Sequence, residues 1–274
     1  MIVHNTTQSR SPEKTIKAIM AREKYSYAQQ ICIRSVGKTM QSTGMLFPKA
    51  KIGVAVSGGM DSWALLKVLK IRQSIVPFSF EITALHVNPG FDPENHRPLL
   101  EWLKANRVSG VVELTDHGPR AHSGENRKKS PCFYCAMLRR KRLFQMCREN
   151  RLTHLAFGHN ADDLVSNFFM NLLQNGRVDG MGMNEEFFGG ALRVIRPLML
   201  TEKTYIAKAV KQWGLPIWSN PCPAAGNTKR TVIFDEIMTL CTDKKWMRKN
   251  IFNGISRWQH EQNKTPESEK GEGF

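Results

Sequence analysis

Two hydrophobic rhythms run through the chain. Apolar and polar residues first mix at helical spacing over 25–45, with Ile31, Ile33, Val36 and Met40 among the apolar positions. The string LFPK breaks that pattern, and an apolar run at 52–57 predicts a strand. Four further strand patterns follow at 80–87, 110–115, 153–158 and 191–197. Helical patterns accompany them at 62–70, 96–106, 136–150, 162–173 and 202–213. Short β-rich runs alternating with helices predict an α/β fold, a parallel sheet covered on both faces. The segment before the first strand adds an N-terminal helical extension. Ligands of such folds sit at the C-terminal ends of the strands.

The two ends carry no such rhythm. Residues 1–24 are polar and aperiodic and read as a flexible arm, and 261–274 read as a disordered tail. One domain over 25–260 remains, without an internal repeat. The 274 residues suffice for a sizeable core. No apolar run reaches the roughly 18–20 residues of a membrane span, and the first residues lack a signal peptide's apolar centre. A cytoplasmic location is expected. There six cysteines point to metal, catalytic or buried roles rather than to disulfides.

Charge adds a partner class. Lys and Arg number 40 against 24 Asp and Glu, a net charge of +16. A globular chain this basic attracts polyanions, nucleic acid first and an anionic membrane surface second; a solvated basic surface is the plain alternative.

Candidate chemistry begins at VAVSGGMDSWALLKVL, a strand, a turn and a helix. Gly58 and Gly59 let an anion approach the main chain. The helix N-terminus aims free N–H groups at the same place, and Ser57 and Ser62 add hydroxyls. This is a pyrophosphate cradle, with neither the Walker spacing nor the dinucleotide G-x-G-x-x-G. An ordinary Gly-Gly turn is the bland reading. A second strand-to-helix turn, LAFGHNADDL, places Gly158, His159, Asp162 and Asp163 at a helix start. Acids there also simply complement the helix dipole. Leu164, Phe168 and Leu172 read as its packing face.

The S-G-G-x-D-S turn resembles the signature of the PP-loop superfamily of ATP pyrophosphatases, and G-H-x-x-D-D resembles the second motif of its tRNA-modifying members. With NLLQNGRVDGM, VIRPL and NPCPAAGNTKR, the succession is similar to the TtcA-type tRNA 2-thiocytidine synthetases from about residue 30 to about 258. The resemblance implies a Rossmann-like sheet of PP-loop ATPase type. It implies that Ser57, Gly58, Gly59, Asp61, Ser62, His86, Gly158, His159 and Asp163 bind ATP and its Mg²⁺. Asp61, Arg139 and Asp163 would act in catalysis.

It also implies that Cys132, Cys135 and Cys222 hold a [4Fe–4S] cluster. The residues themselves leave three readings open. SPCFYCAMLRRKRLF lets two thiolates converge on one metal or cluster; zinc would take a fourth ligand from Cys147, Cys241 or a His; a redox pair is the third. The bases at 139–142 would favour thiolate. Arg139 reads as functional, Lys141 and Arg142 as a solvated face, and Cys32, Cys147 and Cys241 as core residues. The implied reaction adenylates the C2 oxygen of a cytidine, anticodon-loop by resemblance, and replaces oxygen with sulfur delivered through the cluster. The implied partners are tRNA and a sulfur donor (a cysteine desulfurase or sulfide), with no membrane and a homodimer left open. Another RNA base or a small metabolite as acceptor, or a zinc-bearing RNA-binding module without catalysis, are the competing functions. Three departures mark this chain: Met60 where the family usually has Lys, Ala225 where it has a further Cys, and Ser166–Asn167 after the paired aspartates.

Overall fold

The computed structural model describes residues 25–127, 130–223 and 229–262. The expected arm at 1–24, the tail beyond 262 and Ala225 lie outside them. Helix α1 spans Tyr27–Ser42, followed by β1 Lys51–Ala55, α2 Met60–Arg72, β2 Glu81–Asn88, α3 Arg97–Asn106 and β3 Ser109–Leu114. Then come α4 His117–Ala121, α5 Pro131–Glu149, β4 His154–Ala156, α6 Ala161–Asn175, β5 Asn184–Phe187 and β6 Leu192–Ile195. Helices α7 Lys203–Trp213, α8 Lys229–Leu240 and α9 Lys245–Gln262 follow.

The strands lie in the order β3-β2-β1-β4-β6-β5. The first five are parallel to their neighbours, and β5 pairs antiparallel with β6. Strand residues alternate between two buried faces. Ile82 and Ala84 of β2 pack with Ile52 and Val54 of β1 in the larger core, shared with α1, α2 and α7. Leu85 and Val87 face the other way, onto Leu143 and Met146 of α5. Parallel strands buried on both faces read as near-continuous apolar runs, which is how these segments read.

The chain reverses its direction of travel across the sheet between β1 and β4, whose residues Ile52–His154, Gly53–Leu155 and Val54–Ala156 are paired. The turns leaving these two strands therefore meet at a topological switch point, where an open sheet leaves its crevice. That places 57–62 beside 158–163.

Four expectations are corrected. Strand β5 carries no strand rhythm, because NEEF has one apolar residue, Phe187, which packs against the smaller core; ion pairs Glu186–Arg193 to β6 and Glu185–Arg196 just beyond it hold the strand. Helix α5 begins at Pro131, not at 136: Ser130 caps it, accepting from the Phe133 amide at 3.4 Å, and Pro131 takes the first helical position. The last helix runs to Gln262, beyond the expected boundary at 260. On α6, Leu164 is buried and Phe168 packs partly, but Leu172 is exposed.

Candidate active site

The two loops that meet at the switch point build a cleft of about 180 Å³. Ser57, Asp61 and Ser62 line it from the β1–α2 turn, and Gly158, His159 and Asp163 from the β4–α6 turn. Leu85, Val87 and Phe157 give it an apolar wall, and Arg139 and Leu143 close it from α5.

The glycine turn is held in shape from within. The Ser57 amide donates to Ser62 Oγ at 3.1 Å, and Ser62 Oγ donates to the Gly59 carbonyl at 2.8 Å. The Ser62 hydroxyl, expected as a ligand donor, is thus engaged in bracing the loop and is buried. Gly58 sits at φ 92°, and a Cβ there would overlap the Trp218 indole. Trp218 in turn donates its amide to the Gly58 carbonyl at 3.1 Å, which fastens the segment leading to Cys222 onto the loop.

The second turn is just as tightly fitted. A Cβ on Gly158 would stand 2.9 Å from the Asp61 carbonyl carbon, so this position admits no side chain without parting the loops. Asn160 caps α6, its Oδ1 accepting from the amides of Asp162 at 2.9 Å and Asp163 at 3.3 Å. Asp163 returns the bond, accepting from the Asn160 amide at 3.1 Å. The Asn160 amide group also donates to Asp61 Oδ1 at 3.1 Å. The capping reading of the paired acids therefore holds in part: Asp163 spends one oxygen on the cap and still lines the cleft. Asn160, which carries the whole arrangement, was missed; Asn three residues before Asp is its sequence signal.

Charge sets the tone of the floor. Burial, then the neighbouring Asp163 carboxylate, pushes Asp61 up to about 6, against the partial relief of Lys203 and Asn160. A cation bound beside Asp61 would favour its ionised form. His86 does not line the cleft. Its ring is buried, its Nδ1 lies 2.7 Å from the Val56 carbonyl, and it stands edge-on to Trp218 with centroids 5.7 Å apart. Burial lowers its pKa to about 4, so it is a neutral prop beneath the loop rather than part of the cleft wall.

Helix α5 carries chemistry on a single face. Cys132, Cys135, Arg139 and Leu143 recur at spacings of three and four residues, which stack on one side of a helix. Leu143 and Arg139 enter the cleft, and the cysteines continue outward from them. Arg139 is exposed overall yet lines the cleft, where desolvation lowers its pKa and Cys135 is the neighbour that favours its charge. Cys135 lies within electrostatic reach of Arg139, Cys222 and Cys132. Burial outweighs the arginine and raises the Cys135 thiol, so the basic run does not by itself yield a thiolate. Cys222 Sγ lies 3.8 Å from His122 Nε2.

The remaining bases divide differently from the sequence reading. Arg142 is clamped by Glu113 at 2.7 Å and Glu149 at 2.7 Å, joining α5 to β3. Cys32, Cys147 and Cys241 are buried as expected, and burial pushes the first two up to about 12. Among the described residues, no three His, Cys, Asp or Glu side chains are grouped as ligands of a single metal ion. Nor is any helix among them long and apolar enough to cross a membrane.

Comparison with known proteins places this architecture. A PP-loop domain family matches residues 28–240. The tRNA-cytidine(32) 2-sulfurtransferase of Bordetella pertussis is 34% identical over 235 residues, which is 82% of this chain and 70% of that protein. Its namesake in Dichelobacter nodosus is 31% identical over 227 residues, 82% of this chain and 84% of the relative. Among solved structures, the U34-tRNA thiolase NcsA from Methanococcus maripaludis with its [4Fe-4S] cluster matches with a TM-score of 0.67 at 20% identity, over 82% of this chain and 78% of its own. That likeness is one of fold. Sequence similarity extends through both strand-to-helix turns, and on it the chain belongs to the PP-loop family, among the tRNA-cytidine(32) 2-sulfurtransferases.

Proposed function

We propose that the protein is an ATP-dependent tRNA sulfurtransferase acting on a cytidine. ATP enters the cleft with its phosphates on the 57–62 turn and its base against Leu85, Val87 and Phe157. The cytidine C2 oxygen attacks the α-phosphate, pyrophosphate leaves, and the adenylated carbon exchanges oxygen for sulfur as AMP departs. Asp61 and Asp163 would hold Mg²⁺ beside the phosphates, an electrostatic rather than a covalent contribution. Arg139 faces the same charge from α5. The RNA is held through its phosphates by the basic surface, with the target base splayed from its loop. The sulfur comes from a desulfurase or from free sulfide.

One observation supports this reading above the rest. Arg139 lines the nucleotide cleft and also lies beside Cys135, which is in reach of Cys132 and Cys222. Phosphate chemistry and the sulfur-bearing residues thus share one mouth. Cys132, Cys135 and Cys222 would hold a [4Fe–4S] cluster, which supplies an iron position that no protein thiolate fills. A zinc site completed by His122 is the second reading, favoured by its closeness to Cys222.

Metal content decides between them. After anaerobic purification, about four irons and matching sulfide per chain are expected in the wild type. A Cys132/Cys135/Cys222 triple Ala variant should contain none. Stoichiometric zinc without iron would replace the cluster reading. Cys222→Ala should abolish thiolation of tRNA and leave ATP binding measurable; wild-type thiolation in that variant would end the role given to the cysteines.

A further inference from the structure

Behind Asp61 the cleft opens into a second cavity of about 150 Å³ that no step above uses. Asp61, Asp162 and Asp163 line it, with Asn160, Ser166, Phe234 and a single cation, Lys203. Asp61 and Asp163 belong to both spaces, so the second cavity is the rear continuation of the phosphate end of the cleft. Lys203 is the first residue of α7, and its backbone amide donates to the Asp162 carboxylate, which fixes where its side chain starts. The side chain is exposed, without the burial that a purely structural ion pair would need.

The cradle itself lacks what a polyphosphate demands. The 57–62 turn contains no Lys or Arg, and its first helical turn brings in Asp61. Arg139 stands at the opposite wall, beside the cysteines. A triphosphate laid over the turn would meet carboxylates at one end and a guanidinium at the other. Even with Mg²⁺ the carboxylate end is short of positive charge.

We infer that Lys203 reaches through the rear cavity to the terminal phosphates of ATP and holds the pyrophosphate that leaves. Lys203 lines the same cavity as Asp61, Asp162 and Asp163, so its side chain borders the end of the cleft where the terminal phosphates come to rest. The inference rests on the ATP reading above and makes Lys203 a binding residue for the pyrophosphate half alone.

The test is calorimetric titration of the wild type, Lys203→Met and Lys203→Arg with ATP, pyrophosphate and AMP, each with Mg²⁺. Loss of one charge-assisted contact predicts that Lys203→Met weakens ATP and pyrophosphate at least about tenfold. AMP, which lacks the terminal phosphates, should bind within about twofold of wild type on the same argument, and Lys203→Arg should recover most of the loss. Equal weakening of all three ligands would mark a structural role and overturn the inference. Unchanged ATP binding in Lys203→Met would overturn it alone. A wild type that binds none of the three would overturn the nucleotide reading as well.

Discussion

Single residues in this cleft serve function at the expense of the fold. Asp61 is the clearest case. Its pKa of about 6 lies above the ordinary carboxylate value, so the folded state prefers it protonated and ionisation at neutral pH opposes folding. Asp61→Asn keeps the oxygen that Asn160 donates to. It should therefore raise the melting temperature near pH 7.5, by stability on the order of 1–2 kcal/mol, while abolishing Mg²⁺-supported ATP binding. A melting temperature that falls would contradict the assignment. The adjacent arginines separate in the same way. Arg139→Gln should eliminate thiolation with no loss of stability, because burial already penalises its charge. Arg142→Ala breaks a two-carboxylate clamp and should lose about 1 kcal/mol of stability with most activity retained. Denaturant melts beside tRNA thiolation assays check both halves. The number of bases was legible in the sequence; their division between cleft and clamp depended on Glu113, which arrives from a strand far away in the chain.

Among the elements, the N-terminus of α6 carries most of the site. Asn160 holds the helix cap and the Asp61 carboxylate at once. Asn160→Ala should cost about 1–2 kcal/mol, the value of a lost cap. It should also raise the ATP concentration needed for half-saturation, since Asp61 loses its support; a stability loss without any change in ATP binding would confine Asn160 to capping. Gly158 fits against the backbone of Asp61, and Gly58 against the Trp218 indole, which explains why both turns are glycine-bearing. Helix α5 shows how an element's start matters. With Ser130 as cap and Pro131 first, both cysteines fall within the opening turns, and the helical repeat carries their face inward to Arg139 and Leu143.

For the whole molecule, acid sensitivity follows from two enclosed imidazoles. Burial lowers His86 and His154 to about 4. An unfolded chain takes up these protons below about pH 6.5, while the folded one does so only near its lowered values, so stability falls as pH drops through that window. Asp61 acts in the opposite direction, because it holds its proton up to about pH 6 when folded. His117 is lowered by burial as well and Asp162 is raised, so three imidazoles against two carboxyls predict a net fall in melting temperature between pH 6.5 and 4. His154→Gln should make the fall shallower; an unaltered slope would exclude that ring as its source.

The sequence by itself determined the parallel strands, the two glycine-bearing strand-to-helix turns, the paired cysteines and the basic character, because each is written locally, in periodicity, in glycine at a strand end, or in short spacing. Strand β5 escaped it, since in NEEF a single apolar residue, Phe187, packs inward and one position makes no rhythm, although the Phe-Gly-Gly turn after it, with Gly189 at φ 65° and Gly190 at φ 86°, was a hairpin signal. Only the tertiary structure decided the use of each group. It turned Ser62 inward as a brace, set His86 under the loop, and aimed Lys203 at the acids. Those roles arise where strand ends and helix starts distant in sequence converge at the switch between β1 and β4, and no local pattern records which neighbours a side chain will meet there.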